Sequence, residues 1–466
     1  MSLLPPLLAI GLAVYTRQVY LSLAGGIFVG WTVLAAWNPL RGATGTADAL
    51  VRVMADPGSA SVLLFTFAIG GLIALVEANG GVRGFVAWVE SRRWVTNARR
   101  AQLLAWMIGI VIFIESNITV LVTGSVCRPL FDRFRVSREK LAYLADSTSA
   151  PVCVLVPFNA WGAYILGILA TLGIENNVEV LIASIPFNAY PLAAIALASL
   201  VAMRGTDIGP MRAAEKRTQD GEIQWPHAVS LGDPERMSPP PAEGTPLRAR
   251  NMVVPMVTMV LLMPIAMYAT GSGDIAAGSG STSVLWAVLG ALLVAGVLSV
   301  SQRLLSLEKA SDVALKGAAA LTGMALVLLL AIALGDVTQE LGTGQYVAGV
   351  VAGRVPLPVL LPLLFVVSAV IAFSTGSSWG TFAIMLPISV PIAVAIGAPI
   401  APFVAVALSG GIFGDHSSPI SDTTIVASLA SSSDHIEHVR TQLPYALLAG
   451  AVAIVAFAGV GAWLAV

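Results

Sequence analysis

The chain has 466 residues, 57% of them apolar and only 11% charged, with a formal net charge of −1 and a mean hydropathy of +0.85. Soluble domains carry about 25% charged residues, so this balance excludes an ordinary soluble enzyme and leaves an all-α polytopic membrane protein. The net charge says nothing about nucleic acid, which is not expected as a partner, and the two cysteines, Cys127 and Cys153, sit in or beside apolar segments as buried thiols rather than a disulfide framework.

Apolar segments of about 17 to 25 residues match a hydrocarbon core roughly 30 Å thick. Spans are expected near residues 3–16 (short), 18–37, 61–77, 141–173, 179–203, 252–270, 282–301, 316–335, 401–430 and 441–465. No cation precedes Arg17, so the first segment is expected to stay as a helix rather than be cleaved as a signal peptide. Two further apolar stretches are interrupted. The first, 101–126, breaks at Glu115-Ser116-Asn117 and has arginines on both flanks (Arg99 and Arg100; Arg128, Arg133, Arg135 and Arg138). A full crossing would put one cluster outside, so a re-entrant hairpin is expected, with Glu115 at its tip. The second, 359–395, breaks over 374–380 and reads as the matching hairpin. With both hairpins in place the ten spans leave both termini outside, and 22 of the 25 Lys and Arg residues fall inside, Arg41, Arg52 and Arg354 being the exceptions.

The segment 204–250 mixes both charge signs with Pro239-Pro240-Pro241 and reads as a solvated cytoplasmic linker. Around it the expected units are N-terminal helices (1–60), a first repeat (61–203), connecting helices (251–301) and a second repeat (302–466). Each repeat runs span, amphipathic stretch, hairpin and broken span: 61–77, 81–96, 101–126 and 141–173, then 316–335, 340–354, 359–395 and 401–430. The first starts outside and the second inside. That is an inverted repeat with two re-entrant hairpins and two interrupted transmembrane helices, a plan of secondary transporters.

Irregular backbone at membrane depth is tolerated only where it is buried in protein or lines a watery cavity. The breaks carry the polar groups. Glu115 and Asn117 lie in the first, Asp146, Ser147 and Thr148 in the second, Ser374, Thr375, Ser377 and Ser378 in the third, and Asp415, Ser417, Ser418, Ser421, Asp422 and Thr423 in the fourth. ADSTSAP at 145–151 aligns with GDHSSP at 414–419, pairing Asp146 with Asp415. Carboxylate, hydroxyl and carbonyl oxygens suit a small hard cation, while interrupted helices could also aim positive ends at an anion. An ionised acid at the bilayer centre costs about 2.5–3.5 kcal/mol on insertion scales, so Asp146, Asp415, Asp422 and Glu115 are candidate ion or proton carriers, with Na⁺ at the three aspartates. The bland alternative is a carboxylate that caps a helix end. His416 is expected to be structural or modulating, because the first repeat has Ser147 there; His435 and His438 read as part of a solvated turn, and Trp161 and Trp379 as packing.

GDHSSPISDTT, preceded by STGSSWGTFAIMLPI, resembles the signature of the NhaC-type sodium/proton antiporter family, within the ion transporter superfamily. RPLFDRFRVSREKLAYLADSTSAPVCVLVP is similar to the same group, so the resemblance covers roughly residues 60 to 460. It implies a multi-pass inner-membrane carrier that exchanges Na⁺ for H⁺ without a cofactor, as a homodimer with a mobile transport domain. The family also includes exchangers of organic anions, so the alternative is a Na⁺- or H⁺-coupled carrier of a small organic anion or amino acid. An intramembrane aspartyl protease fits poorly, since residue 412 is Ile where GxGD needs Gly and no Tyr-Asp pair occurs.

Overall fold

The computed structural model describes residues 1, 4–16, 18–91, 95–113, 116–157, 159–226, 228, 246–273, 278–342, 346 and 355–465. Among these, all regular structure is helical. The first half contains α1 (Leu4–Thr16), α2 (Val19–Leu34), α3 (Pro39–Ala55), α4 (Pro57–Ala78), α5 (Gly81–Ser91), α6 (Ala98–Val111), α7 (Ser116–Arg133), α8 (Arg138–Ser147), α9 (Ala150–Cys153), α10 (Ala160–Thr171), α11 (Asn177–Ser184) and α12 (Ala189–Arg204). After α13 (Pro210–Gln219), the second half contains α14 (Arg250–Thr270), α15 (Gly280–Ser301), α16 (Leu307–Ala320), α17 (Thr322–Glu340), α18 (Leu357–Thr375), α19 (Ser378–Ala395), α20 (Ile400–Ser417), α21 (Asp422–Ser431) and α22 (His435–Leu464).

Among the described residues, six helices are long and apolar enough to cross a bilayer: α4, α14, α15, α18, α19 and α22. Two bent pairs reach that standard together. Residues 177–187 and 189–204 meet at 49°, where Pro186 removes a donor; α16 meets α17 at 46°. Both were expected as single spans, 179–203 and 316–335; local backbone chemistry, not hydropathy, makes the bends. At the first bend Asn188 donates to the carbonyl of Ser184 at 3.0 Å, replacing a ladder bond.

The interruptions expected within 141–173 and 401–430 are present, between α8 and α10 and between α20 and α21. Side chains recover the backbone groups that these breaks expose, as a bilayer requires. Asn159 accepts from Gly162 N–H at the start of α10 and donates to the carbonyls of Phe113 (2.7 Å) and Cys153 (2.8 Å), serving two breaks at once. Ser377 caps α19, Ser421 caps α21, and the Ser418 hydroxyl donates to the Phe373 carbonyl at 2.7 Å.

The arms of both expected hairpins pack on each other, α6 on α7 and α18 on α19. α18 also lies tightly along α20, because Gly410 and Gly414 press on the carbonyls of Phe365 and Ala369, where any Cβ would collide. Small residues let helices approach in this way where lipid supplies no hydrophobic drive between them. The tip joining α18 to α19 turns at Gly376, whose φ of +64° is a left-handed conformation and whose missing side chain leaves room for the Ile420 carbonyl. Trp161 and Trp379 pack at a tilt of 42° with ring centroids 4.5 Å apart, and Tyr164 donates to the Trp379 carbonyl, so these rings are packing. Cys127 and Cys153 are buried free thiols.

Within the segment read as a solvated linker, the described stretch 204–226 is packed on the protein in part. α13 buries Met211, Ala214, Glu215 and Arg217, and its charges meet partners on α8. Lys140 Nζ lies 2.8 Å from Asp207 and 3.0 Å from Glu215, while Arg217 holds Glu139 in a two-point pair at 2.7 and 3.0 Å. Glu215 also accepts from the N–H and hydroxyl of Ser137, the cap of α8. Burial pushes the Asp207 carboxyl above its usual range, and Lys140 beside it partly restores the balance. Removing one partner of a buried pair strands the other. Lys140→Met is therefore expected to cost about 3–5 kcal/mol and to lower the melting temperature of the purified protein, with Lys140→Met/Glu215→Leu recovering part of the loss. Equal melting temperatures for wild type and Lys140→Met would show that the cluster contributes nothing.

Candidate functional site

Asp146 and Asp415 lie in the last turns of α8 and α20, each just before a break, and each is only 1% exposed. Both acids thus sit at helix C-termini, where the negative end of the helix dipole favours a cation. Neutral groups donate to both acids. Asp146 Oδ2 accepts from Thr424 Oγ1 (3.1 Å) and Gln442 Nε2 (2.7 Å), and Asp415 Oδ2 accepts from Ser378 Oγ (3.0 Å). Asp146 Oδ1 is buried and receives no hydrogen bond. Among the described residues no Lys or Arg lies within ion-pair distance of Asp146; the nearest basic group is His416 Nε2, 3.8 Å from Oδ2.

His416 joins the two halves of the site. Its Nε2 lies 3.2 Å from Ser147 Oγ and its Nδ1 lies 2.6 Å from the Tyr190 hydroxyl. With Tyr190 donating to Nδ1, Nε2 carries the ring proton toward Ser147 and Asp146. Gln442 adds a second tie, since its Nε2 also donates to the His416 carbonyl at 2.7 Å. His416, expected to be structural or modulating, thus has its ring beside Asp146.

The other hydroxyls divide by what already occupies them. Thr148 donates to the Leu144 carbonyl, Thr375 to Ile371 and Ser417 to Phe413, which commits them to their own helices. Ser377 caps α19, Ser418 bonds Phe373, and Ser421 caps α21 while meeting Thr423 Oγ1 at 3.0 Å. Ser147 and Ser378 touch the site directly through His416 and Asp415. Ser374 is half-buried at the end of α18. Glu115 and the side chains of Asn117 and Asp422 lie outside the described residues.

Gln442, Tyr190 and Thr424 are absent from the sequence-derived set. Thr424 is the last residue of the SDTT run; Gln442 and Tyr190 are polar groups at the ends of apolar runs, a signal easily passed over. His438 is fully buried in the first turns of α22 rather than on a solvated turn, because α22 starts earlier than the expected span at 441. Gln442→Leu removes donors from Asp146 and His416 together and an acceptor from His438. A loss of about 1–3 kcal/mol is expected, read as a lower melting temperature of the solubilised protein; an unchanged melting temperature would mean that these bonds are replaced by water.

Residues 152–462 match the Na⁺/H⁺ antiporter family. A Haemophilus influenzae (strain Rd) protein described as uncharacterized is 34% identical over 486 aligned residues, which cover 99% of this chain and 90% of that one. Among solved structures, the fold is similar to the Alcanivorax borkumensis YdaH transporter, with a TM-score of 0.60 at 15% identity, covering 91% of this chain and 88% of that chain. It is also similar to Neisseria gonorrhoeae MtrF, described within a class of antimetabolite efflux pumps, with a TM-score of 0.50 at 13% identity, covering 90% and 84%.

Proposed function

Because this chain belongs to the Na⁺/H⁺ antiporter family and is a multi-pass membrane transporter, we propose that it exchanges Na⁺ for H⁺ through competition at Asp146 and Asp415, with Asp422 as a third carrier. The observation that carries this reading is Asp146: a buried carboxylate at a helix C-terminus, held only by neutral donors, with one oxygen that receives no hydrogen bond. A buried acid in that setting either takes a proton or attracts a cation, and the two compete for the same oxygens. An anion at the same place would face the carboxylates and the negative ends of α8 and α20.

The matching placement of Asp146 and Asp415 before their breaks supports the inverted repeat, with the pairs α6–α7 and α18–α19 as its re-entrant hairpins. Both arms α18 and α19 are long enough to cross by themselves, yet a pair that goes in and returns leaves the sides of later helices unchanged. The division of Lys and Arg supports an inner-membrane orientation with 204–250 in the cytoplasm and both termini periplasmic. The family resemblance supports a homodimer.

A second reading, coupled movement of a small organic anion or amino acid, has one observation in its favour. A cavity of about 720 Å³ between α3, α10 and α17 presents both charge signs, from Arg52, Asp56, Glu175 and Asp336. Transport by sealed vesicles with and without organic acids separates the two readings.

Under the first reading, apparent Na⁺ affinity of the purified protein weakens as pH falls, by up to about tenfold per pH unit once protons fill the carboxylates. Asp146→Asn and Asp415→Asn are expected to bind Na⁺ weakly at every pH while remaining folded, since an amide neither titrates nor carries charge. Retention of wild-type exchange with wild-type pH dependence in both variants would remove these acids from the mechanism. For the orientation, cysteines introduced at Ser238 and Ser279 are expected to be labelled from the cytoplasm and from outside, respectively, the two native thiols being buried. Reversed labelling would invert the arrangement.

A further inference from the structure

His435, Ser428 and His438 form a hydrogen-bonded cluster that ends at the candidate site. His435 Nε2 lies 2.6 Å from the Pro419 carbonyl, which only accepts, so Nε2 carries a hydrogen. Gln442 Nε2 serves two acceptors, Asp146 Oδ2 and the His416 carbonyl, which turns its Oε1 toward His438 Nε2 at 2.9 Å. An amide oxygen also only accepts, so His438 Nε2 carries a hydrogen as well. In neutral imidazoles both Nδ1 atoms are then acceptors. Both point at Ser428 Oγ, from 3.0 Å for His435 and 2.9 Å for His438, and the Thr424 carbonyl lies 2.9 Å from the same oxygen. Three acceptors thus face a hydroxyl with a single proton.

One more proton balances the count. Placed on Nδ1 of either ring, it donates to Ser428 Oγ, and the hydroxyl proton turns to the other ring. The Thr424 carbonyl lies within a helix and keeps a backbone partner. We infer that His435, Ser428 and His438 make up a binding site for one shared proton, linked to Asp146 through the Gln442 amide. His435 is partly exposed whereas His438 is fully buried, so the proton enters at His435.

The surrounding charges are of both signs. On α22 itself, Asp434 caps the first turn, and Glu437 pairs with Arg440. Asp146 faces the cluster from α8 through Gln442; Asp415 and His416 end α20; Arg128 of α7 and Arg138 of α8 reach Ser432 at the end of α21. Tyr190 and Arg204 belong to α12; Glu215 and Arg217 of α13 are taken up by Lys140 and Glu139 of α8. Asp422, whose side chain lies outside the described residues, begins α21.

A proton held here places positive charge on the far side of Gln442 from Asp146. Under the exchange proposed above, that charge weakens the competition of protons with Na⁺. Gln442 passes on orientation and charge, not the proton itself, because its amide has no proton to give up without changing its own bonding.

The proton site is tested without transport, by ¹⁵N NMR of the histidine ring nitrogens in the full chain in lipid nanodiscs between about pH 5 and about pH 9. The expected result is a joint titration of the two Nδ1 atoms that amounts to one proton, with both Nε2 atoms protonated throughout. Ser428→Ala is expected to split it into two independent events; should that variant fold poorly, His435→Gln is expected to change the titration of His438. Two rings that stay neutral over the whole range, or that each take up their own proton in the wild type, overturn the proposal. Its link to Asp146 rests on the carrier role proposed above and has its own measurement. In His435→Gln the acid limb of Na⁺ binding is expected to move to higher pH with the maximal exchange rate kept; an unmoved limb alongside the expected ring titration overturns the link alone.

Discussion

The site depends on one carboxylate, Asp146, buried at the end of α8 without a fixed positive charge beside it among the described residues. Among those residues it has two neutral donors on one oxygen and none on the other, and His416 is its nearest basic neighbour. A lysine or arginine beside it would neutralise the site permanently, as Lys140 and Arg217 neutralise the acids of α13 and α8 a few turns away. The contrast within one helix is informative. Glu139 near the start of α8 has a guanidinium partner; Asp146 at its end has none among the described residues, which is the setting the proposed exchange calls for.

Holding such groups in a bilayer requires that broken helices lose no hydrogen bonds. Asn159, Ser377, Ser418 and Ser421 close the exposed backbone groups, and Gly410, Gly414 and Gly376 let α18 and the tip before α19 press against α20 and the 418–421 break. Most hydroxyls of the motif are therefore used in making the interruption possible. Fewer are left to touch a cargo than their number in the sequence suggests.

The interruptions, the two aspartates and the family were legible in the sequence, because acids and Ser/Thr runs inside apolar stretches conflict with ordinary spans. The partners of those acids were not. Gln442 sits in the second turn of α22, where hydropathy over a long window hides one amide, and Tyr190 opens α12 with a side chain as apolar as it is polar. Whether either meets an acid depends on packing of helices remote in the chain. The same limit applies to α13: its mixed charges have the composition of a solvated segment, and only the complementary order of Glu139-Lys140 against Glu215 and Arg217 brings them into the protein. The bends at Pro186 and Leu321 are local events inside windows of uniform hydropathy.

The ion pairs between α13 and α8 fasten the covalent bridge between the two halves to the helix whose last turn bears Asp146. The start of the ten-residue helix that ends at the carboxylate is thereby fixed in place by charge as well as by packing. Because those pairs are themselves buried, salt screens them far less than it would surface pairs, and the hold on α8 persists across ionic strengths.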